Sequence, residues 1–197
     1  MKPYAESCDQ NRDCILEVIA PLLADKNSLL EIGSGTGQHA VFFAERLPQL
    51  IWQTSDRDEN HAGIQQWLDD AGLDNVKQPL SIDVNQADWH SSSYDVIFSA
   101  NAIHIMSWGS VLNMFTGIGK VLSAGGLLIL YGPFNYQGAY TSESNQSFDG
   151  WLKDRDPESG IRDFEAIEKL AYQHGMSLYK DLEMPANNRI LCWQMDD

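Results

Sequence analysis

The sequence is short of cysteine and of long apolar runs. Its three cysteines, Cys8, Cys14 and Cys192, are odd in number and form no CxxC pair, which predicts reduced thiols rather than a disulfide framework. Runs such as LLILY are too short to cross a bilayer, and the first residues lack the apolar core of a signal peptide. We therefore expect a cytoplasmic protein without a membrane partner.

Positive charge is also scarce, because 13 Lys and Arg residues stand against 28 Asp and Glu, for a formal net charge of −15. A duplex-binding protein neutralises phosphates with clustered basic side chains, so this balance disfavours a nucleic-acid partner. The 43% of hydrophobic residues is ordinary for a globular chain of 197 residues. With no internal repeat and no obvious linker, the chain is predicted to be a single domain over 1–197.

Helical and strand patterns alternate along most of the chain. SLLEI, LIWQTS, VKQPLSI, YDVIFSA and LLILYG are typical of strands, and Pro79 makes the third of them irregular or partly exposed. Helices are expected between them, the last of which, WGSVLNMFTGIGKVLS, should end at Gly125-Gly126. This alternation predicts parallel strands with helices on both faces. Two terminal strand patterns joined by Ala-Asn-Asn predict a hairpin, and therefore one antiparallel strand.

The stretch LLEIGSGTGQHA places a glycine-rich turn between a strand and a helix. Gly33, Gly35 and Gly37 allow the backbone to turn sharply and to approach a ligand closely. The start of the following helix offers free N–H groups to polar or anionic ligand groups. The spacing is GxGxG, not the GxGxxG of a dinucleotide site. Taken alone, the loop could also be a turn that merely needs positive φ angles.

Polar residues end the next strands at the same edge of the predicted sheet. Asp56 ends the second strand, where an acidic side chain can reach both hydroxyls of a ribose. Asp83 ends the third strand, where it could accept from an adenine amino group, and Asn101 follows the fourth. Ligands bind at the carboxyl ends of strands in open α/β sheets, so these features together predict a binding site. Asp56 alone could instead be a helix N-cap.

The motifs EIGSGTGQHA, SIDV, YDVIFSANAIHIM and LSAGGLLILYGPF, with the acid at 56, resemble those of class I S-adenosylmethionine-dependent methyltransferases. The resemblance runs from about residue 28 to the terminal hairpin. It implies an α/β, Rossmann-like, doubly wound, seven-stranded and mostly parallel sheet with one antiparallel strand from the C-terminal hairpin. NRDCILEVI, YGPF and SNQSFDGWLKDRDPESGIRD are similar to motifs of a family of small, uncharacterised methyltransferase-like proteins of bacteria and animals. Residues 1–27 would then form an N-terminal helical cover, and 135–163 a substrate lid inserted after the fifth strand.

The resemblance implies a site for S-adenosyl-L-methionine. Glu31 and the glycines would contact its methionine part, Asp56 its ribose, and Asp83 with Val84 its adenine, while Asn101 would lie near the sulfonium. The predicted cofactor-binding residues are Arg12, Glu31, Gly33, Ser34, Gly35, Gly37, His39, Asp56, Arg57, Asp83, Val84 and Asn101. No metal is expected, because methyl transfer needs only an acceptor lone pair in line with the S–CH3 bond.

The predicted catalytic residues are His104, Tyr131 and Asp149. His104 could accept a proton from the acceptor, and the ring of Tyr131 could hold a cationic group. A packed, hydrogen-bonded histidine and a core tyrosine are the alternatives.

The predicted substrate-binding residues are Trp108, Asn145, Trp151, Arg155 and Arg162. The two arginines could hold a carboxylate or a phosphate, which would make the acceptor a small anionic molecule. The alternative is a solvated short helix in which Asp149 lies above Lys153, and Trp151 above Arg155.

The leading hypothesis is therefore an S-adenosylmethionine-dependent methyltransferase, of the EC 2.1.1 type, that acts on a small molecule. A non-catalytic protein that keeps the cofactor pocket and acts through a partner is an alternative. A nicotinamide-dependent oxidoreductase is another, although the GxGxG spacing and the terminal hairpin disfavour it. A protein or RNA acceptor also stays open, with the charge of −15 weighing against RNA.

Overall fold

A mostly parallel sheet forms the centre of the fold. The computed structural model describes residues 2–86, 89 and 92–197. Within them the strands are β1 (Ser28–Ile32), β2 (Ile51–Asp56), β3 (Val76–Ser81), β4 (Tyr94–Ala100), β5 (Leu122–Gly132), β6 (Phe134–Asn135), β7 (Arg162–Asp163), β8 (Met176–Met184) and β9 (Asn188–Met195). The helices are α1 (Glu6–Leu22), α2 (Gln38–Arg46), α3 (Asp58–Ala71), α4 (Trp108–Val121), α5 (Glu143–Arg155) and α6 (Phe164–Gln173).

In this part of the chain, seven strands form the main sheet, in the order β3-β2-β1-β4-β5-β9-β8. β9 runs antiparallel to both β5 and β8, and the pairs from β3 to β5 are parallel. The predicted fold class is therefore confirmed, including the antiparallel strand of the C-terminal hairpin. The strand order reverses between β1 and β4, which is the position where open α/β sheets bind ligands.

Helices cover both faces of the sheet. On one face, α1, α2 and α3 pack against alternate strand residues such as Leu29, Trp52 and Ile129. On the other face, α4 and α6 pack against their neighbours in sequence, such as Leu30 and Leu128. Successive side chains of a strand point to opposite faces, so strands that are buried on both faces are continuously apolar.

The junction of α4 and β5 differs from the prediction, which ended the helix at Gly125-Gly126. The helix ends at Val121, and the strand begins at the next residue. Gly125 adopts a φ of +68°, and the pairing of β5 with β4 shifts register in this region. The prediction was wrong because the two glycines form an irregularity inside a strand and do not end a helix.

The third strand is irregular, as Pro79 predicted. β3 lies at the edge of the sheet, and its register against β2 shifts between Gln53 and Ser55. Proline is tolerated at an edge because the missing N–H is not needed by a further strand.

The 135–163 segment has more regular structure than a loop. β6 and β7 pair in parallel, so the segment begins and ends at the same place, and α5 lies between them. The side chain of Ser142 caps α5 by accepting from the N–H of Asn145. Among the helices that the structure describes, none combines the length and the apolar character needed to cross a membrane.

Candidate active site

The glycine loop follows β1 at the position where the strand order reverses. Gly33, Gly35 and Gly37 have φ angles of +73°, +59° and +88°, a region that favours glycine. A Cβ atom on Gly37 would lie 3.3 Å from Cα of Ile64, so this glycine lets α2 and α3 pack closely. A Cβ on Gly35 would meet no described atom within 4 Å. Gly35 therefore exposes bare backbone to open space, as a close-binding ligand requires.

A cleft with two joined compartments lies over this loop. The wide compartment has a volume of about 620 Å³, and the narrow compartment about 350 Å³. Both are lined by Gly33, Gly35, Asn60, Ala100 and Asn101. Asp56, Arg57, Asp83 and Val84 line only the wide compartment. Glu31, Ser34 and His39 line only the narrow one. The ends of four strands thus contribute to one cavity.

Asp56 connects the glycine loop to the start of α3. Its carboxylate accepts hydrogen bonds from the N–H of Gly35 (2.7 Å), the N–H of Arg57 (2.8 Å) and Nδ2 of Asn60 (2.8 Å). A carboxylate has about four lone-pair positions, so Asp56 keeps capacity for a ligand hydroxyl at the wall of the wide compartment. Asp56 therefore joins the loop to the residue before α3 and lines the cleft, and it does not act as a side-chain cap of the helix.

Glu31 is the buried acid of the narrow compartment, with 2% of its surface exposed. Its Oε2 atom accepts from Oγ of Ser34 (2.8 Å) and from Nε1 of Trp52 (3.0 Å). Burial raises the pKa of Glu31 to about 7, although the bonds from Trp52 and Ser34 oppose this rise. A positively charged group bound beside it would favour the ionised carboxylate.

Asn101 lies between the two compartments in a strained conformation. Its φ of +56° is unusual for a residue with a side chain, and its N–H donates to the carbonyl of Tyr131 (2.8 Å). Such a conformation costs about 1–3 kcal/mol and is concentrated at functional sites. The bond to β5 holds the Asn101 backbone in the cleft wall.

The N-terminal residues cover the narrow compartment, which Pro3, Ala5, Ser7 and Cys8 line. The N–H of Ala5 donates to Oε1 of Gln38 (2.6 Å), and Nε1 of Trp67 donates to the carbonyl of Pro3 (2.7 Å). A Cβ on Gly63 would lie only 2.7 Å from Cγ of Pro3. Residues 2–5 are therefore fastened across α2 and α3.

His39 lies near the start of α2, and Arg12 lies in α1. Nε2 of His39 is 2.7 Å from Oδ1 of Asn11, and burial, with the charge of Arg12, lowers the pKa of His39 to about 4. Arg12 pairs with Asp9 and lies over the ring of Phe42, 4.6 Å from its centre. Of these two predicted cofactor ligands, only His39 lines the cleft in the described structure.

His104 lies buried behind the end of β4, beside Gly132. A Cβ on Gly132 would be 3.6 Å from Nδ1 of His104 and 3.7 Å from Oδ1 of Asn101. Nδ1 has no hydrogen-bond partner in the part of the chain that the structure describes. Burial, with the nearby charge of Arg162, lowers the pKa of His104 to about 4, so the ring is neutral near pH 7.

Tyr131 does not face the cleft. It lies on the α1 side of β5, and burial raises its pKa to about 12, although the nearby side chains of Asn11 and Asn188 oppose this rise. This environment keeps the hydroxyl protonated and leaves Tyr131 a core residue, as the alternative reading had it.

Asp149 is also turned away from the cleft. Its carboxylate accepts from the hydroxyl of Tyr140 (2.7 Å), Nζ of Lys153 (2.6 Å) and the N–H of Ile161 (2.7 Å). The carboxylate is thus engaged in holding the 135–163 segment together, and no proton-transfer role follows from this geometry.

The predicted substrate-binding residues also lie outside the described lining of the two compartments. Asn145 donates to Oγ1 of Thr141 (2.9 Å) and to the carbonyl of Asn187 (3.0 Å), and so connects α5 to the terminal hairpin. Arg155 lies 4.6 Å from the ring centre of Trp151, which is half exposed.

Trp108 begins α4 and lies 5.9 Å from the Arg162 guanidinium, which itself donates to backbone carbonyls. The 135–163 segment instead contributes Asp156 and Glu158 to the wide compartment. Neither acid was among the residues that the sequence predicted for the site.

Comparison with known proteins agrees with this architecture. Residues 2–195 match the model of a family described as "Protein of unknown function (DUF938)". An O-methyltransferase family protein from Burkholderia thailandensis superposes with a TM-score of 0.80 at 13% identity, over 94% of this chain and 58% of that one. The S-adenosylmethionine-dependent methyltransferase SibL gives 0.82 at 17% identity, over 97% and 56%.

An O-methyltransferase family 2 protein from Planctomyces limnophilus, solved with apigenin, gives a TM-score of 0.75 at 14% identity, over 85% of this chain and 49% of that one. The chain spans about half the length of these structures. At such identities the likeness shows the fold. The chain belongs to the DUF938 family and has the fold of class I methyltransferases.

Proposed function

We propose that this protein is an S-adenosylmethionine-dependent methyltransferase that acts on a small molecule. The observation that carries the proposal is the single cleft over the glycine loop, where Asp56 lines one compartment and Glu31 the other. Gly35 exposes bare backbone between them. Such a cleft suits a ligand with a hydroxyl-bearing sugar at one end and a positive charge at the other.

The residues present fit this cofactor. In the wide compartment, Asp56 would accept from a ribose hydroxyl, and Asp83 with Val84 would bind the adenine. In the narrow compartment, Glu31 lies where the amino-acid part would bind, and its burial makes a positive partner favourable. When bound, the cofactor supplies a methyl group on a positively charged sulfur.

The chain's own contribution is positioning and exclusion of water. Asn101 is fixed between the compartments by its bond to β5, and residues 3–8 close the narrow compartment from above. His104, neutral near pH 7, can accept a hydrogen bond from a hydroxyl or an amine. Its low pKa makes it a weak proton acceptor, and it lies outside the described lining of both compartments, so we assign it no proton-transfer role.

The charges of the wide compartment favour a neutral or cationic acceptor over an anionic one. Asp56, Asp83, Asp156 and Glu158 contribute acids to its described lining, while Arg57 pairs with Glu59 at 2.7 Å. An anionic molecule would approach against this field. The structural basis for an anionic acceptor is also weak, because the guanidinium of Arg162 donates to backbone carbonyls.

Calorimetric titration of the pure protein with S-adenosylhomocysteine tests the binding half of the proposal. We expect saturable binding, and a loss of about tenfold or more in Asp56→Ala, since a hydrogen bond to a charged group contributes about 1.5–3 kcal/mol. Asp95→Ala is the matched control, because Asp95 also accepts from two backbone N–H groups, those of Asn27 (2.8 Å) and Ser28 (3.2 Å). These bonds lie at the opposite end of β1 from the cleft. The proposal fails if wild type does not bind.

Transfer of a labelled methyl group from S-adenosylmethionine into small-molecule fractions of a cell extract tests the catalytic half. Label in a small molecule is expected. Label only in protein or RNA would refute the acceptor class, and binding without any transfer would favour the non-catalytic alternative. Binding of NADH in place of S-adenosylhomocysteine would instead indicate the oxidoreductase.

A further inference from the structure

The backbone carbonyls of residues 103–106 all accept hydrogen bonds from residues 159–162. The four bonds run from Nε of Arg162 to Ile103 (3.4 Å), from the N–H of Gly160 to His104 (2.8 Å), from Oγ of Ser159 to Ile105 (3.1 Å), and from Nη2 of Arg162 to Met106. Two of the four come from one guanidinium. Nη2 of Arg162 also donates to the carbonyl of Glu158 (2.9 Å), within its own segment.

Residues 103–106 form the turn between β4 and α4, and they shape the wide compartment. Ile105 and Met106 line it, and so do Asp156 and Glu158 of the neighbouring segment. The described hydrogen bonds within this turn are few, among them the one from the N–H of Ile105 to the carbonyl of Ala102 (3.1 Å). The position of this wall therefore depends on bonds that come from residues 159–162.

The donors themselves are held firmly. The N–H of Ile161 donates to the buried carboxylate of Asp149, and a Cβ on Gly160 would lie 3.0 Å from Oδ1 of that carboxylate. β7 begins at Arg162 and pairs with β6. The guanidinium is thus presented from a fixed backbone.

We propose that Arg162 is a positioning residue for cofactor recognition, acting through the 103–106 turn that forms one wall of the wide compartment. This rests on the proposed function, because it takes the adenosine part of S-adenosylmethionine as the occupant of that compartment. A planar guanidinium can donate to separate carbonyls at once, and an ammonium on a single flexible stem cannot reproduce that fork. Arg162 is therefore not replaceable by lysine, although the charge is the same.

The test is calorimetric titration of Arg162→Lys with S-adenosylhomocysteine and with 5′-methylthioadenosine, which lacks the amino-acid part. The dissociation constant should rise about tenfold for both ligands, by an amount typical of lost charged hydrogen bonds. Global destabilisation would lower the melting temperature without changing the affinity of the folded protein. Hydrogen exchange at the amides of 103–107 should also be faster in the free variant.

Arg46→Lys is the matched control, because Arg46 also donates to a backbone carbonyl, that of Phe42 (3.0 Å), at the far end of α2 from the glycine loop. It should bind both ligands as wild type does. Ser159→Ala removes one of the four bonds and guards against a failure of Arg162→Lys to fold; it should weaken binding by about two- to fivefold.

Wild-type affinity in Arg162→Lys, with unchanged exchange at 103–107, would overturn the inference and leave the proposed function intact. If Arg162→Lys does not fold, wild-type affinity in Ser159→Ala overturns it in the same way. Absence of S-adenosylhomocysteine binding by wild type would overturn both.

Discussion

Glu31 should contribute to the pH dependence of the stability of the ligand-free protein, and Glu31→Gln should remove that contribution. The carboxyl group is almost fully buried, and burial raises its pKa from 4.5 to about 7. This rise corresponds to about 3 kcal/mol between the two protonation states. Glutamine has a similar shape and keeps a carbonyl oxygen that can accept from Ser34 and Trp52, but it cannot ionise.

The direction in which the free energy of unfolding changes with pH follows from proton binding. Between pH 4.5 and about 7 the folded protein holds a proton on Glu31 that the unfolded chain has lost, so the free energy of unfolding falls as pH rises through this window. Above about 7 both states are ionised, and this contribution no longer changes. Over pH 5 to pH 8, wild type should lose about 2 to 3 kcal/mol relative to Glu31→Gln.

Urea denaturation of both proteins at pH 5, 6, 7 and 8 measures the difference directly. Other titrating groups, including His39 and His104, are common to the two proteins and cancel in the comparison. A difference in unfolding free energy that stays constant across this range would refute the reasoning, since it would mean that Glu31 ionises equally in the folded and unfolded chains.

Further outcomes follow from the same cleft. Gly35→Ala should lower the free energy of unfolding by about 1 kcal/mol, because Gly35 has a left-handed φ, and it should abolish S-adenosylhomocysteine binding. Gly72→Ala is the control, because Gly72 has the same φ of +59° and open surroundings but lies outside the cleft. It should lower the free energy of unfolding equally and bind the ligand normally. Gly63→Ala should displace Pro3 and make the N-terminus more susceptible to limited proteolysis. Binding of S-adenosylmethionine at pH 7 should release protons, because Glu31 ionises. The release is measured as a calorimetric enthalpy that depends on the buffer. It should be larger than the release on binding S-adenosylhomocysteine, whose sulfur is neutral.

Reasoning from strand ends located the cleft. Asp56, Asp83 and Asn101 all line the wide compartment, because the carboxyl ends of parallel strands meet at one edge of a sheet. The predictions for Gly125-Gly126 and for Tyr131 were wrong, for different reasons. Gly125-Gly126 is a signal for the end of a helix and equally for an irregular strand, and only the pairing with β4 decides between them.

The face of the sheet on which Tyr131 lies could, by contrast, be predicted from the sequence. Leu127, Ile129 and Tyr131 alternate along β5 and share the face that packs on α1. Counting that alternation would have placed Tyr131 in the core.

The contacts of Arg162 could not be predicted in this way. Its acceptors are main-chain carbonyls, and that of Met106 lies 56 residues away in sequence. A backbone carbonyl is present at every position, so no side-chain pattern marks the ones that will face an arginine. The position of Asp156 and Glu158 beside the cleft could not be predicted either, because it depends on how α5 folds back onto the sheet.

The fastening of residues 2–5 over the narrow compartment has a consequence for rates. A molecule that enters the narrow compartment past Pro3 and Ala5 must wait until the bonds to Trp67 and Gln38 open. The observed association rate should then reach a plateau at high ligand concentration, set by how often this cover opens. Trp67 lies at the fastening itself, so its indole fluorescence gives the opening an intrinsic optical signal.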